Sequence, residues 1–188
     1  MPAFFLALIL AALASFGRRD QLLVAHLAGR LGEGWGLLAV AWLAACITAG
    51  LAALAGSVLA TIMPPAAKHM LVAFALLLGA LELLWPWRVR RGPEEPTRSH
   101  FAIFAVLAAQ QVGDGARFLI LALAVAAGNP VLAGIGGALG SGAMLTLGWA
   151  LGADMPRALP LRPIRYALAA AMGLAAIVIG LSARGIIA

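Results

Sequence analysis

The segment Gln110-Gln111-Val112-Gly113-Asp114-Gly115-Ala116-Arg117 holds two amides, a carboxylate, two glycines and a guanidinium inside an apolar run from Phe101 to Ala127. Amide and carboxylate oxygens ligate small hard cations, and a carboxylate in a membrane also carries protons. An ionisable group at bilayer depth costs roughly 2.5–3.5 kcal/mol on insertion scales, so chemistry is its default explanation there. Glycines on both sides of Asp114 weaken the helix and free backbone carbonyls, as in the interrupted helices of transporter sites. A plainer reading has Asp114 and Arg117, three residues apart on one helical face, neutralising each other.

A second polar interruption, Ser15-Phe16-Gly17-Arg18-Arg19-Asp20-Gln21, lies in the first apolar segment. A shift of 96 residues lays Phe16-Gly17-Arg18 over Val112-Gly113-Asp114, and Leu22-Leu23-Val24-Ala25 over Phe118-Leu119-Ile120-Leu121. In each half the interruption is followed by a small-residue helix, a proline-marked turn and a third helix.

These segments must be positioned by an apolar scaffold. The chain has 188 residues, 64% of them hydrophobic and 11% charged, and its mean hydropathy is +1.03. That composition belongs to a polytopic all-α membrane protein with the lipid bilayer as its surroundings. A transmembrane barrel is excluded, because the apolar stretches are continuous and do not alternate. The net charge of +6 does not indicate a nucleic-acid partner, because the arginines lie at the ends of apolar segments, the pattern that orients membrane proteins. The one cysteine, Cys46, rules out a disulfide or thiolate cluster within the chain and reads as a small core residue. No Ser-His-Asp set, nucleotide loop or haem motif is present, so the reading is neither an enzyme nor a cofactor protein.

Six spans are expected. The first begins in Met1–Phe16, which lacks the basic start of a cleaved signal peptide, and runs on through the interruption to Ala25. The others cover Trp35–Met63, Met70–Trp87, Phe101–Ala127, Asn129–Gly152 and Tyr166–Ala183, with a proline-containing loop from Asp154 to Arg165 before the last. Gly136, Gly140 and Gly148, with Ser141 and Gly142, give the fifth span a small-residue face for close helix contact. Residues 1–91 then form a first three-helix repeat, 92–100 a linker and 101–188 a second repeat. An odd number of spans per half inverts the second repeat, and inverted repeats with broken helices hold their site near the midplane. Arg30, Arg88, Arg90, Arg91, Arg98, Arg157, Arg162 and Arg165 gather on one side, against Lys68 and Arg184 on the other. This puts both termini outside and the 88–100 linker in the cytoplasm.

Other polar residues read more plainly. Glu82, six residues before Arg88, reads as a carboxylate within a turn or two of the cytoplasmic end of the third span, the alternative being a second carboxylate near the cavity. His26, His69 and His100 are scattered near interfaces and form no metal motif. Thr48, Ser57, Thr61, Ser141 and Thr146 are assigned hydrogen bonds to the backbone. The five tryptophans are assigned to interfacial anchoring and packing.

The chain resembles the Gdt-type cation transporters, the Golgi-type manganese/calcium–proton exchangers and their bacterial relatives. Their mark is Glu-x-Gly-Asp-Lys/Arg-Thr/Ser, once per three-helix half. The second copy here reads Gln111-Val112-Gly113-Asp114-Gly115-Ala116, and the first reads Ser15-Phe16-Gly17-Arg18-Arg19-Asp20. The turn Gly128-Asn129-Pro130, the loop Leu159-Pro160-Leu161-Arg162 and the Gly180-Leu181 end of the sixth helix are also similar. Asp114 matches the family aspartate; Gln111 and Ser15 stand where its glutamates are, and Arg18 where its first aspartate is. The resemblance implies exchange of a divalent cation, manganese or calcium, for protons, in a divergent member residing in the bacterial inner membrane. Asp114 would be the metal ligand, with Gln111, Gln110, Gly113, Ser15 and Gly17 lining the ion site. Arg18, Asp20 and Arg117 would form an internal ion-pair set, the Arg18 guanidinium standing where relatives hold a cation and pairing with Asp114. Two alternatives share this architecture. One is a non-transporting structural or regulatory subunit locked by the Arg18–Asp114 pair. The other is an exporter of a small amino-acid-like solute.

Overall fold

The computed structural model describes residues 1–32, 34–85 and 98–187, and all of its regular elements are helices. In chain order these are α1 (Pro2–Ser15), α2 (Arg19–Leu31), α3 (Trp35–Ala60), α4 (Pro65–Leu84), α5 (His100–Val112), α6 (Gly115–Ala127), α7 (Pro130–Leu151), α8 (Met155–Ala158) and α9 (Leu161–Ala183). A 3-10 turn, Gly152–Asp154, joins α7 to α8.

Local chemistry sets most of these boundaries. Pro2, Pro65 and Pro130 open helices at the first turn, where a missing amide hydrogen costs nothing. The Asn129 side chain accepts from the Leu132 amide at 3.1 Å and caps α7. Gly128 closes α6 in the left-handed conformation, with φ of 62°.

Helices α3, α4, α7 with its 3-10 turn, and α9 are each long and apolar enough to cross a membrane. Two further helix pairs are bent at short breaks, α1–α2 by 66° and α5–α6 by 59°; counted as one span each, they bring the total to six. The exterior is apolar: Leu51, Leu54 and Val58 of α3, Phe74 of α4 and Leu174 and Ile177 of α9 are exposed. The polar side chains Asp20, Gln21, Thr48, Gln111, Asp114, Arg117 and Ser141 are buried. Apolar outside and polar inside is the arrangement of a protein dissolved in lipid, where polar groups must find partners within the bundle.

Helix α7 is the centre of the bundle, with α1, α2, α3 and α6 packed around it, while α4 pairs with α9 and covers α6. The expected small-residue face makes this possible. A side chain at Gly136 or Gly140 would run into the carbonyls of Phe4 and Leu8 on α1, and one at Gly148 would meet Gln21 of α2. Gly142 leaves room for the Trp42 ring. Three apolar clusters complete the core, including Leu76, Leu83, Leu119 and Met172 between α4, α6 and α9, and Val24, Leu37, Leu107 and Leu145 between α2, α3, α5 and α7.

Several expected boundaries move. Helix α2 continues past Ala25 to Leu31, so Arg30 stands in a helix's last turn and not in a loop. Helix α4 starts at Pro65 and not Met70, and α9 at Leu161 and not Tyr166, so Lys68, Arg162 and Arg165 are helical. Proline at a helix start, used at Pro65, explains the first shift. Cys46 is exposed on α3, not in the core. His26 turns Nε2 inward, where it is buried without a hydrogen-bond partner, and not into solvent. Trp87 and the linker residues Arg88, Arg90 and Arg91 lie outside the described residues.

Candidate functional site

The two breaks meet inside the bundle. At the second, Asp114 leaves helical geometry with φ −97° and ψ 156° and serves as the N-cap of α6, Oδ1 accepting from the Arg117 amide at 2.7 Å. Aspartate is a favoured cap, and its negative charge suits the positive end of the helix dipole. The next free amide, Gly115 N–H, donates at 2.8 Å to Glu82 Oε2 on α4. Gly115 permits this approach, since a side chain there would come within 3.0 Å of the Gly79 backbone on α4.

At the first break Gly17 takes a positive φ of 64° and Arg18 stands at the N-cap of α2. An arginine cannot accept a hydrogen bond, and no side chain of its own caps this helix. Gln21 intervenes instead, its Oε1 accepting from Gly17 N–H at 2.7 Å while its Nε2 donates to the Met144 carbonyl of α7 at 2.7 Å.

Arg117 is the hub. Its guanidinium, 2% exposed as a residue, donates Nε to Thr48 Oγ1 at 3.0 Å, Nη1 to Ser141 Oγ at 3.1 Å and Nη2 to Gln111 Oε1 at 2.7 Å. Gln111 passes the network on, donating its Nε2 to Asp20 Oδ2 at 3.1 Å and accepting from Thr48 at 3.0 Å. Arg18 reaches across from the first break, pairing through Nη1 with Glu82 Oε2 and lying through Nη2 3.6 Å from Asp114 Oδ2. Arg117 Nη1 is 3.7 Å from the same oxygen. Asp114 Oδ2 and Asp20 Oδ1 are buried without hydrogen-bond partners.

Asp114, Gln111, Arg117, Arg18 and Asp20 thus come together in one network. Asp20 bonds to the Gln111 amide and not to a guanidinium, and Asp114 lies between two arginines, so neither arginine is its sole partner. Gly17 and Gly113 are the breaks themselves. Ser15 joins the edge of the network, donating to Ser141 at 3.5 Å. Gln110 is half-buried, its Oε1 without a partner. Glu82 stands at the end of its span, in the last turn of α4, but its side chain turns into the bundle, to Arg18 and Gly115. Its sequence signal was a lone carboxylate in a twenty-residue apolar helix, three residues after Gly79 on the same face. Thr48 bonds to the Ala44 carbonyl as expected and also belongs to the network, as does Ser141. Ser57 and Thr61 bond only to the preceding turn.

Two cavities flank the second break. The larger, about 350 Å³, is mostly apolar and ends on Thr48, Asp114 and Arg117. The smaller, about 110 Å³, is polar and lined by Arg18, Arg19, Asp20, Glu82, Gln110 and Gly113. Around the two cavities stand three carboxylates, Asp20, Glu82 and Asp114, and three guanidiniums, Arg18, Arg19 and Arg117. Among the described residues no three His, Cys, Asp or Glu side chains are gathered as a metal centre, so any metal bound here would also need carbonyl, amide or solvent oxygens.

No curated protein and no solved structure matches the chain. Residues 3–90 match the family model described as divalent cation/proton antiporter GDT1, a stretch that includes the first break and Glu82 and ends before the second break. Over that stretch, just under half of its length, the chain is similar to the divalent cation/proton antiporter family.

Proposed function

We propose that the protein is a secondary transporter that exchanges a divalent cation, manganese or calcium, for protons across a bacterial inner membrane. The observation that carries this reading is Asp114: a buried carboxylate at a helix break, whose Oδ2 accepts no hydrogen bond and which lines a cavity. An interrupted helix supplies the remaining ligands for a hard cation as carbonyl and amide oxygens. In this reading Asp114 is the principal ligand, Gln111, Gln110, Gly113, Gly17 and Ser15 line the path, and the vacated carboxylates take up protons on the return.

The architecture we infer is a pair of inverted repeats, 1–91 and 101–188, joined by 92–100. Three correspondences at the 96-residue shift support it. Gly17 and Gly113 both lie in breaks, Arg18 and Asp114 both stand at N-caps, and Gln21 contacts Met144 as Arg117 contacts Thr48. Arginine distribution supports external termini and a cytoplasmic linker.

The test is flux in proteoliposomes carrying a pH-sensitive dye. Manganese or calcium added outside should release protons from the lumen, and Asp114→Asn should abolish the release. A second reading, a non-transporting scaffold, draws on the 3.6 Å Arg18–Asp114 contact. It predicts no flux with either cation and a cooperative melt that is lost on breaking that pair.

A further inference from the structure

We propose that Glu82 is the second cargo-binding carboxylate, and that Arg18 is a tethered cation occupying the cargo's place between Glu82 and Asp114. This rests on the transport reading above and adds a ligand and a competitor to it.

The two arginines of the site are held differently. Arg117 spends its Nε, Nη1 and Nη2 on Thr48, Ser141 and Gln111, from three separate helices, and is fixed. Among the described residues the hydrogen-bond and ion-pair partners of the Arg18 guanidinium are carboxylates: Glu82 from α4 through one nitrogen, and Asp114 from the α5–α6 break at 3.6 Å through the other. That second contact is an ion pair without a hydrogen bond, which leaves Asp114 Oδ2 an acceptor with no donor. A guanidinium bridging two acids from different helices stands where a metal ion would bridge them.

Arg18 also has somewhere to go. Its side chain is 12% exposed and lines the 110 Å³ polar cavity, where the unpartnered Oε1 of Gln110, a residue lining the same cavity, can accept a displaced guanidinium. With Arg18 withdrawn, the two acids that it bridges, Glu82 and Asp114, carry together the charge that one divalent cation neutralises. The eroded glutamate positions, Ser15 and Gln111, are replaced in this scheme by a carboxylate from α4.

The experiment is manganese binding to the purified full chain in detergent, read from the free-ion electron paramagnetic resonance signal at fixed pH. Arg18→Gln should bind manganese at least tenfold more tightly than the wild type, and Arg18→Gln with Glu82→Gln should lose that gain. If Arg18→Gln fails to fold, Arg18→Lys, a single-point competitor, should tighten binding severalfold. Binding unchanged or weakened in a folded Arg18 variant overturns the proposal. Proteoliposome flux separates it from the broader reading. Exchange by the wild type that Glu82→Gln leaves intact refutes the role of Glu82 and keeps the transporter. Tighter, Glu82-dependent binding by Arg18→Gln without wild-type flux keeps the site and removes the transporter. No flux and no binding in any form removes both.

Discussion

The two breaks have the same backbone plan and opposite chemistry. Each places a glycine between two helices and starts the second at an N-cap in extended geometry, although α1 ends on Phe16 with Gly17 after it, at a φ of 64°, whereas Gly113 itself caps α5, at a φ of −97°. At the second, Asp114 caps its helix and Glu82 takes the next amide, so two negative charges meet the positive end of α6. At the first, Arg18 and Arg19 open α2, against the dipole, and Gln21 makes the stabilising bond. Arg18 is paired with Glu82 of α4 and Asp114 of the second break. Acids and bases are nevertheless mixed across the halves: Asp20 and Glu82 lie in the first half with Arg18, and Asp114 lies in the second with Arg117. A site of two identical breaks would concentrate carboxylates and require a metal to hold it together, whereas this one is nearly neutral from within.

The difference should be largest at the two residues one turn into each second helix. Arg117→Leu strands Gln111, Thr48, Ser141 and Asp114 and should cost about 3–5 kcal/mol, the range for breaking a buried pair from one side. Gln21→Leu, at the corresponding place in α2, loses two hydrogen bonds and should cost about 1–3 kcal/mol. Unfolding in detergent micelles measures both, and equal losses would mean the breaks are energetically alike. Next in size is Arg18→Asp, which makes the first break acidic like the second. Its stability should become dependent on added manganese, rising by roughly 2.7 kcal/mol at a hundredfold excess over Kd, while the wild type responds far less. A thermal melt with and without a chelator reads this directly.

The packing around the breaks gives a smaller contrast. Gly140→Ala drives a methyl into the Leu8 carbonyl where α1 crosses α7, and should cost about 1–3 kcal/mol. Gly173→Ala on α9, whose nearest neighbour is the Ala80 methyl at 4.0 Å, should change stability by no more than about 0.5 kcal/mol. The smallest effect belongs to Ser15→Ala. Its one bond, to Ser141 at 3.5 Å, is long, and its loss should cost about 0.5 kcal/mol; a larger loss would give Ser15 a part comparable to that of Gln111.

Much of this molecule could be read from its residues. Polar groups and glycines inside an apolar run marked both breaks, because lipid makes such groups costly unless they are used. The glycine face of α7 was legible because only small residues let helix backbones approach. Glu82 lies at the end of its span as its spacing implies, but distance from Arg88 along the chain says nothing about its partners, Arg18 and the Gly115 amide. Asp20 was placed among the ion pairs because it neighbours two arginines in sequence, yet α2 turns it toward Gln111. Cys46 was read as core because it is apolar and small, but in a bundle surrounded by lipid such a residue is equally stable facing outward.

Composition and local spacing alone determined that the chain is a helical membrane protein, where its helices break, and that Asp114 and Arg18 stand at those breaks. These follow from short-range physics: hydropathy, glycine's freedom, and the cost of an unpaired charge in lipid. Only the tertiary structure decided who answers whom. It brought Glu82 of α4 onto the start of α6, enclosed Arg117 among Thr48, Ser141 and Gln111, and stretched Arg18 between acids 64 and 96 residues away. Such partnerships depend on how helices cross, and a crossing is set by side-chain packing summed over the whole bundle, which no single segment encodes.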